Sequence, residues 1–235
     1  MFAQLDRASE RAMAEGLTMK LALDEIAVAL PDHLSPKTIE RFNIAFRGLS
    51  YQSDYCLYHY EQFKAEHERH EAAMRGALPL DQIQNPQYYR IAFEANAYAF
   101  FRALHAMIES LPYLLNIILT VKEDVEARDV NWKTLTEWLT ERPDFEAPRK
   151  QIKTLRGSSL YKQLNTLVNV TKHRRIPRID SGNFAGSRPR FCPDDLDQEF
   201  ESHNIIQLME AAYDELHPQA LEIILSIAGA RQAAS

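Results

Sequence analysis

Apolar residues recur every three to four positions along almost the whole chain, a period that predicts α-helices. Residues 4–30 read as a first amphipathic segment, which PDHLSP interrupts. Ser35 followed by Pro36 then marks a helix start: the Ser hydroxyl can cap, and Pro suits a first turn where an N–H would find no partner. The helix that starts there is expected over about 35–76, passing through Gly48, until GALPLDQIQNP breaks it. A third long helix is expected from near Pro86 to about Val121, kinked at Pro112. Beyond it, DVNWKTLTEWL predicts a short helix and RPDF a turn. Ser158 or Ser159 should cap a helix running to Lys172 or His173. A loop rich in Gly, Pro and Ser follows, then a last helix from about Pro193 to Gly229, kinked near Pro218. No segment alternates with period two, so no sheet is expected. The pattern predicts an all-α bundle of long antiparallel helices. It forms a single domain over 1–235, with a core over about 35–230 and residues 1–30 as an accessory N-terminal helix.

Composition sharpens this picture at three points. The 235 residues suffice for a substantial core, and only 7 glycines argue against a sandwich or barrel with its many tight turns. The two cysteines, Cys56 and Cys192, match no metal spacing and read as a buried apolar residue and a loop residue in a reducing compartment. MFAQLDRASERAMAEG has no apolar core of a signal peptide, and SLPYLLNIILTV is too short to span a bilayer, so a cytoplasmic protein without membrane association is expected.

Charge is distributed very unevenly. The net charge is −6, yet the window Arg149–Arg190 holds eleven Lys and Arg against the single acid Asp180. Immediately beyond it, CPDDLDQEFE gathers Asp194, Asp195, Asp197, Glu199 and Glu201. Helix ends explain part of this: acids favour the start of a following helix, and Lys172 to Arg175 the end of the preceding one. They do not explain Arg149, Lys150, Lys153, Arg156, Lys162, Arg188 and Arg190, which have few acidic neighbours in sequence. RNA or another polyanion is the natural partner of such a region. Tyr161, Phe184 and Phe191 are its only aromatic residues, so base stacking is not specifically indicated.

Candidate chemistry concentrates at the end of this helix. On a helical wheel of 160–173, Leu160, Leu164, Leu167, Val168 and Thr171 share the core side, while Asn165, Asn169, Lys172 and His173 lie opposite. Asn169 is three residues from Lys172 and four from His173, so amide, ammonium and imidazole converge. Such a trio suits phosphate chemistry without a metal. The imidazole moves a proton near neutral pH, Lys and Arg stabilise charge on a phosphate oxygen, and the amide positions either partner. A solvated helix face ending in a His accounts for the same residues without any ligand. Three further clusters carry weaker signals. HERHEAAM reads as a charged, solvent-facing helix end, since no Glu-x-x-His pair of a di-iron bundle occurs in the chain. Glu94, Tyr98, Phe101, His105 and Glu109 form a polar stripe in which His105 and Glu109 either satisfy each other or face His173 beside Arg102. Tyr51, Tyr55 and Tyr58 share a helix face that suits packing or a dimer contact. No Gly-rich phosphate loop, nucleophile elbow or zinc spacing is present, so no cofactor and no metal site is expected.

LNTLVNVTKHR, following the long helix FEANAYAFFRALHAMIESLPYLLNIIL, resembles the HEPN (higher eukaryotes and prokaryotes nucleotide-binding) family. The likeness is to uncharacterised bacterial branches with an Asn-x-x-Lys-His-Arg helix end, and it spans about residues 90–175. The resemblance implies an all-α bundle, often a homodimer. It also implies an RNA- or nucleotide-binding protein or a metal-independent endoribonuclease of a toxin or defence system. In that motif four to six residues separate an Arg, often followed by Asn, from a His. Asn169 takes the polar position and His173 the histidine position, whereas the arginine position falls on Val168. The implied catalytic group is His173 with Asn169, Lys172 and Arg174. Substrate contacts would come from Arg175, Arg178, Arg188, Arg190, Arg102 and His105. The alternative is a non-enzymatic helical scaffold whose charge separation mediates assembly.

Overall fold

The computed structural model describes residues 26, 27, 29–181, 188–196 and 204–234. The accessory N-terminal segment, Phe184 and the acids Asp197, Glu199 and Glu201 therefore lie outside the described residues. The fold is all-α, with six helices among the described residues. They are α1 (Pro36–Met74), α2 (Pro86–Leu119), α3 (Trp132–Thr140), α4 (Glu146–Gly157), α5 (Ser159–His173) and α6 (Ile205–Ala234). Neither Pro112 nor Pro218 ends its helix.

Local signals account for the helix ends. The Ser35 hydroxyl accepts from the Thr38 N–H at 3.2 Å, with Pro36 at the first helical position. α1 closes on Gly76, whose φ of 64° is the left-handed conformation glycine adopts without strain, and the Ala77 N–H reaches back to the Ala72 carbonyl at 2.9 Å. α2 closes the same way on Thr120, at φ 51°, a position its branched side chain makes costly. Buried Asn116 offsets that cost by accepting the Lys122 N–H at 2.9 Å.

The chain divides into two compact units. The first comprises the described part of Met1–Asp54 with Ala106–Ser158 and Glu215–Ser235, and the second comprises Tyr55–His105 with Ser159–Asp214. Each of the three long helices gives one end to each unit. In the first unit, Leu114, Leu115, Asn116, Ile117, Ile118 and Leu119 are all buried, so this end of α2 is enclosed on every side. α3 starts on Asn131, whose Oδ1 accepts from Lys133 and Thr134 N–H at 2.9 and 3.1 Å. α4 has no counterpart in the sequence reading. Its stripe is only Pro148, Ile152 and Leu155, in an otherwise polar run. In the second unit the core is aromatic: Phe63, Phe93, Phe100, Phe101 and Phe191 are almost fully buried.

Two sequence expectations fail around the basic segment. A two-stranded antiparallel sheet is present, β1 (Ile179–Asp180) against β2 (Arg190–Phe191), with Ile179 opposite Phe191 and Asp180 opposite Arg190. Two residues per strand are too few to display a period. The last helix starts at Ile205 rather than Pro193, and Pro193–Asp195 is a separate 3₁₀ turn. Asp194 and Asp195 therefore do not complement the start of a long helix.

Candidate functional site

The second unit contains every predicted site residue. α5 buries Tyr161, Leu164, Leu167, Val168 and Val170, which leaves Asn169 exposed, while Asn165 is half-buried and faces His105 of α2. Lys172 and His173 occupy its last turn, and both are exposed, as are Arg174 and Arg175. Val168 is only 1% exposed, so its side chain belongs to the core.

What holds this helix end is a ladder of donors along α2. His105, 6% exposed, donates from Nε2 to the Asn165 Oδ1 at 3.1 Å, and Asn169 Nδ2 donates to the same oxygen at 3.0 Å. Arg102 Nη2 lies 3.4 Å from the Thr171 carbonyl, the Tyr98 hydroxyl donates to the Pro177 carbonyl, and Arg90 Nη2 donates to the Ile179 carbonyl at 3.1 Å. Arg90 is itself fixed by Glu94, 2.8 Å away and one turn on. Burial pushes the Tyr98 phenol up, so the donor keeps its proton at any ordinary pH. The α2 stripe thus faces α5 and the segment after it. Glu109 accepts from Trp132 Nε1 at 2.9 Å, in the first unit. Arg102 and His105 act on the backbone and the amides of this region, a role that spacing alone did not separate from direct contact with substrate.

The basic residues divide into paired and outward-facing groups. Arg178 grips Asp195 with Nε and Nη2 at 2.8 and 3.0 Å, its backbone N–H adds a third bond at 2.8 Å, and Arg175 Nε donates to the Asp195 carbonyl at 2.7 Å. These donors hold the Asp195 carboxyl down at about 2. Arg149 and Lys150, in the first unit, are taken by Glu146 at 3.0 and 3.4 Å. Lys172, His173, Arg188 and Arg190 are exposed and engage no acid among the described residues. The exposed Ile176, at 69%, lies among them in sequence.

His67 and His70 correct the expectation of a solvent-facing helix end. Both are buried, at 7% and 6%, against Phe93, and His67 also stacks on Phe63. The sequence hid this because the charged neighbours Glu66, Glu68, Arg69 and Glu71 mask a two-residue buried stripe. His70 Nδ1 donates to the Pro86 carbonyl at 3.0 Å. His67 Nε2 finds no hydrogen-bond partner. Burial pushes the His67 proton affinity down, against the pull of Glu71 and of the Ser181 backbone that it bonds, with His70 adding to the depression and Glu68 opposing it. A depressed imidazole stabilises the fold fully above the unfolded value of about 6.5, and that contribution is lost as pH falls below it, because the unfolded chain takes the proton first. The Tm should therefore fall between pH 7 and pH 5, and less in His67→Leu. Parallel melting curves of the two proteins at both pH values check this, and equal slopes would remove His67 from the account.

The first unit has an open cleft of about 570 Å³, lined by Arg41, Ile44, Gly48, Glu109, Tyr113 and Glu126 among others. Its charges are partly spent internally, since Arg41 and the Tyr113 hydroxyl both engage Glu126, at 3.0 and 2.9 Å. Among the described residues no three His, Cys, Asp or Glu side chains gather as metal ligands, and no helix is long and apolar enough to cross a membrane. No family model, curated protein or solved structure matches this chain.

Proposed function

We propose that this chain is an RNA-binding protein of the HEPN type, and that it engages the phosphate backbone with the cations at and beyond the end of α5. One observation carries the reading: α2 donors take up backbone carbonyls of the basic segment, while Lys172, His173, Arg188 and Arg190 present their charge outward. A segment secured through its carbonyls keeps its cations available to phosphates, and such contacts bind without reading sequence. The Asn165–Asn169 amide pair beside His173 adds donors and acceptors for a ribose or base edge. Binding ranks above cleavage in this reading, because Val168 supplies no charge at the family's arginine position. The homodimer and the toxin or defence role implied by the resemblance remain part of the proposal. The second reading, a helical scaffold, draws on the pairing of Arg178 with Asp195 and of Arg149 with Glu146, which neutralises part of the basic window without a ligand.

The test is a gel shift and a cleavage assay on mixed single-stranded RNA with EDTA present, for wild type and His173→Ala. Salt-sensitive binding without cutting is expected. Cutting by wild type that His173→Ala abolishes would move the reading to a metal-independent ribonuclease. Neither binding nor cutting would leave the scaffold.

A further inference from the structure

The Arg178–Asp195 contact is more than an exposed ion pair. Asp195 Oδ2 accepts from both the Arg178 backbone N–H and Nε, each at 2.8 Å, while Oδ1 accepts from Nη2 at 3.0 Å. Three donors thus converge on two oxygens of one anion. The side-chain exposures differ, 71% for Arg178 and 18% for Asp195, so the guanidinium lies at the surface with the carboxylate tucked against it. A guanidinium fork matches two oxygens of a phosphodiester as well as it matches a carboxylate, and a backbone N–H beside it completes an oxyanion cradle. Arg175 is drawn in too, through the Asp195 carbonyl, so one acidic residue occupies two cations of the basic segment. The acid belongs to a run, CPDDLDQEFE, that follows the basic stretch directly. Asp195 lies only 17 positions after Arg178. A ligand tethered that closely competes at an effective concentration in the millimolar range, enough to exclude a weak single phosphate but not a polyanion with several contacts.

We propose that the Arg178 cradle is a phosphate-binding seat which Asp195 fills in the unliganded chain, and that a bound RNA phosphate displaces the carboxylate. The turn Pro193–Asp195 then acts as an internal competitor that sets a threshold on polyanion length and keeps the basic segment from holding stray anions. This inference rests on the RNA-binding reading and specifies how its basic face is regulated.

Fluorescence anisotropy with a labelled 12-nucleotide oligouridylate, across 50–300 mM KCl, tests it on the full-length chain. Asp195→Asn should bind at least five-fold more tightly than wild type. Its plot of log affinity against log salt should steepen by about 0.7–1.4, since each newly engaged phosphate of a single strand adds about 0.7. Adding Arg178→Gln to Asp195→Asn should cancel both gains, and melting curves of each variant, with Asp195→Ala as a second form, establish that they are folded. Wild type that binds while folded Asp195→Asn and Asp195→Ala bind no more tightly overturns the internal competitor and leaves RNA binding intact. Binding by Asp195→Asn where wild type shows none supports the gated seat. No binding by any folded form overturns both.

Discussion

A chain carrying Lys172→Glu and Arg174→Glu should bind single-stranded RNA on the order of a hundred-fold more weakly than wild type near 100 mM salt, with a salt slope flatter by about 1.4. Lys172 stands in the last turn of α5, Arg174 follows directly, and both side chains are exposed. The helix beneath them is secured by buried leucines and by the His105–Asn165 bond. Each reversal removes one cation that would release counterions and adds one anion that repels the phosphates. Lysine and arginine also complement the negative end of the helix dipole, so the double variant should lose a little stability, of order 1 kcal/mol, as well. The same double reversal at Lys133 and Lys153, in the first unit, is the control and should change affinity much less. Equal losses from both pairs would mean that net charge, rather than this face, governs binding.

Phe93→Ala should cost about 3–5 kcal/mol and lower the Tm by roughly 10 °C, the range for a fully buried aromatic ring in a domain of this size. Phe93 is 0% exposed and meets Phe63 edge-on at 5.7 Å between ring centroids, His67 at 5.2 Å and His70 at 5.4 Å. Removing the ring leaves a cavity beside two imidazoles, one of which bonds the Ser181 backbone at the end of β1. The damage should therefore spread beyond the cavity. Amide exchange around Ile179 and Phe191 should speed up more than exchange in α3, which belongs to the other unit. Urea unfolding of wild type and Phe93→Ala, followed by exchange of the same pair, checks both parts. A loss under 1 kcal/mol would mean that the aromatic cluster repacks around the gap.

The helices were legible wherever the signal was local. Ser35–Pro36, the long apolar periods of α1 and α2, and the Ser159 start of α5 each require only the residues themselves. So does the exposure of Asn169. Features that depend on a distant partner were not legible. Pairing of Ile179 with Phe191 joins residues on either side of a loop, and two-residue strands have no pattern to reveal them. Asp194 and Asp195 look like the opening of a helix because acids favour that place, but Arg178 and Arg175 claim Asp195 first. α4 shows no apolar period because Arg149, Lys150, Lys153 and Arg156 outnumber its three buried residues. His105 stands out as a polar residue in an apolar helix, yet its partner sits 60 positions away, and only the fold names Asn165.

The interleaving of the two units has a consequence for biosynthesis. Each unit draws on segments from both halves of the chain, so the ribosome delivers α1 and α2 long before their partners exist. The second unit lacks its last described segment until α6 begins to emerge, and the first is incomplete until Glu215 and beyond have been made. At about 5–20 residues per second, the largely apolar end of α2 waits several seconds or more for the rest of its unit. During that interval Leu114 to Leu119 is a natural binding stretch for a nascent-chain chaperone. Truncation from the C-terminus should therefore yield aggregates rather than a smaller folded protein, because no contiguous half of this chain contains a whole core.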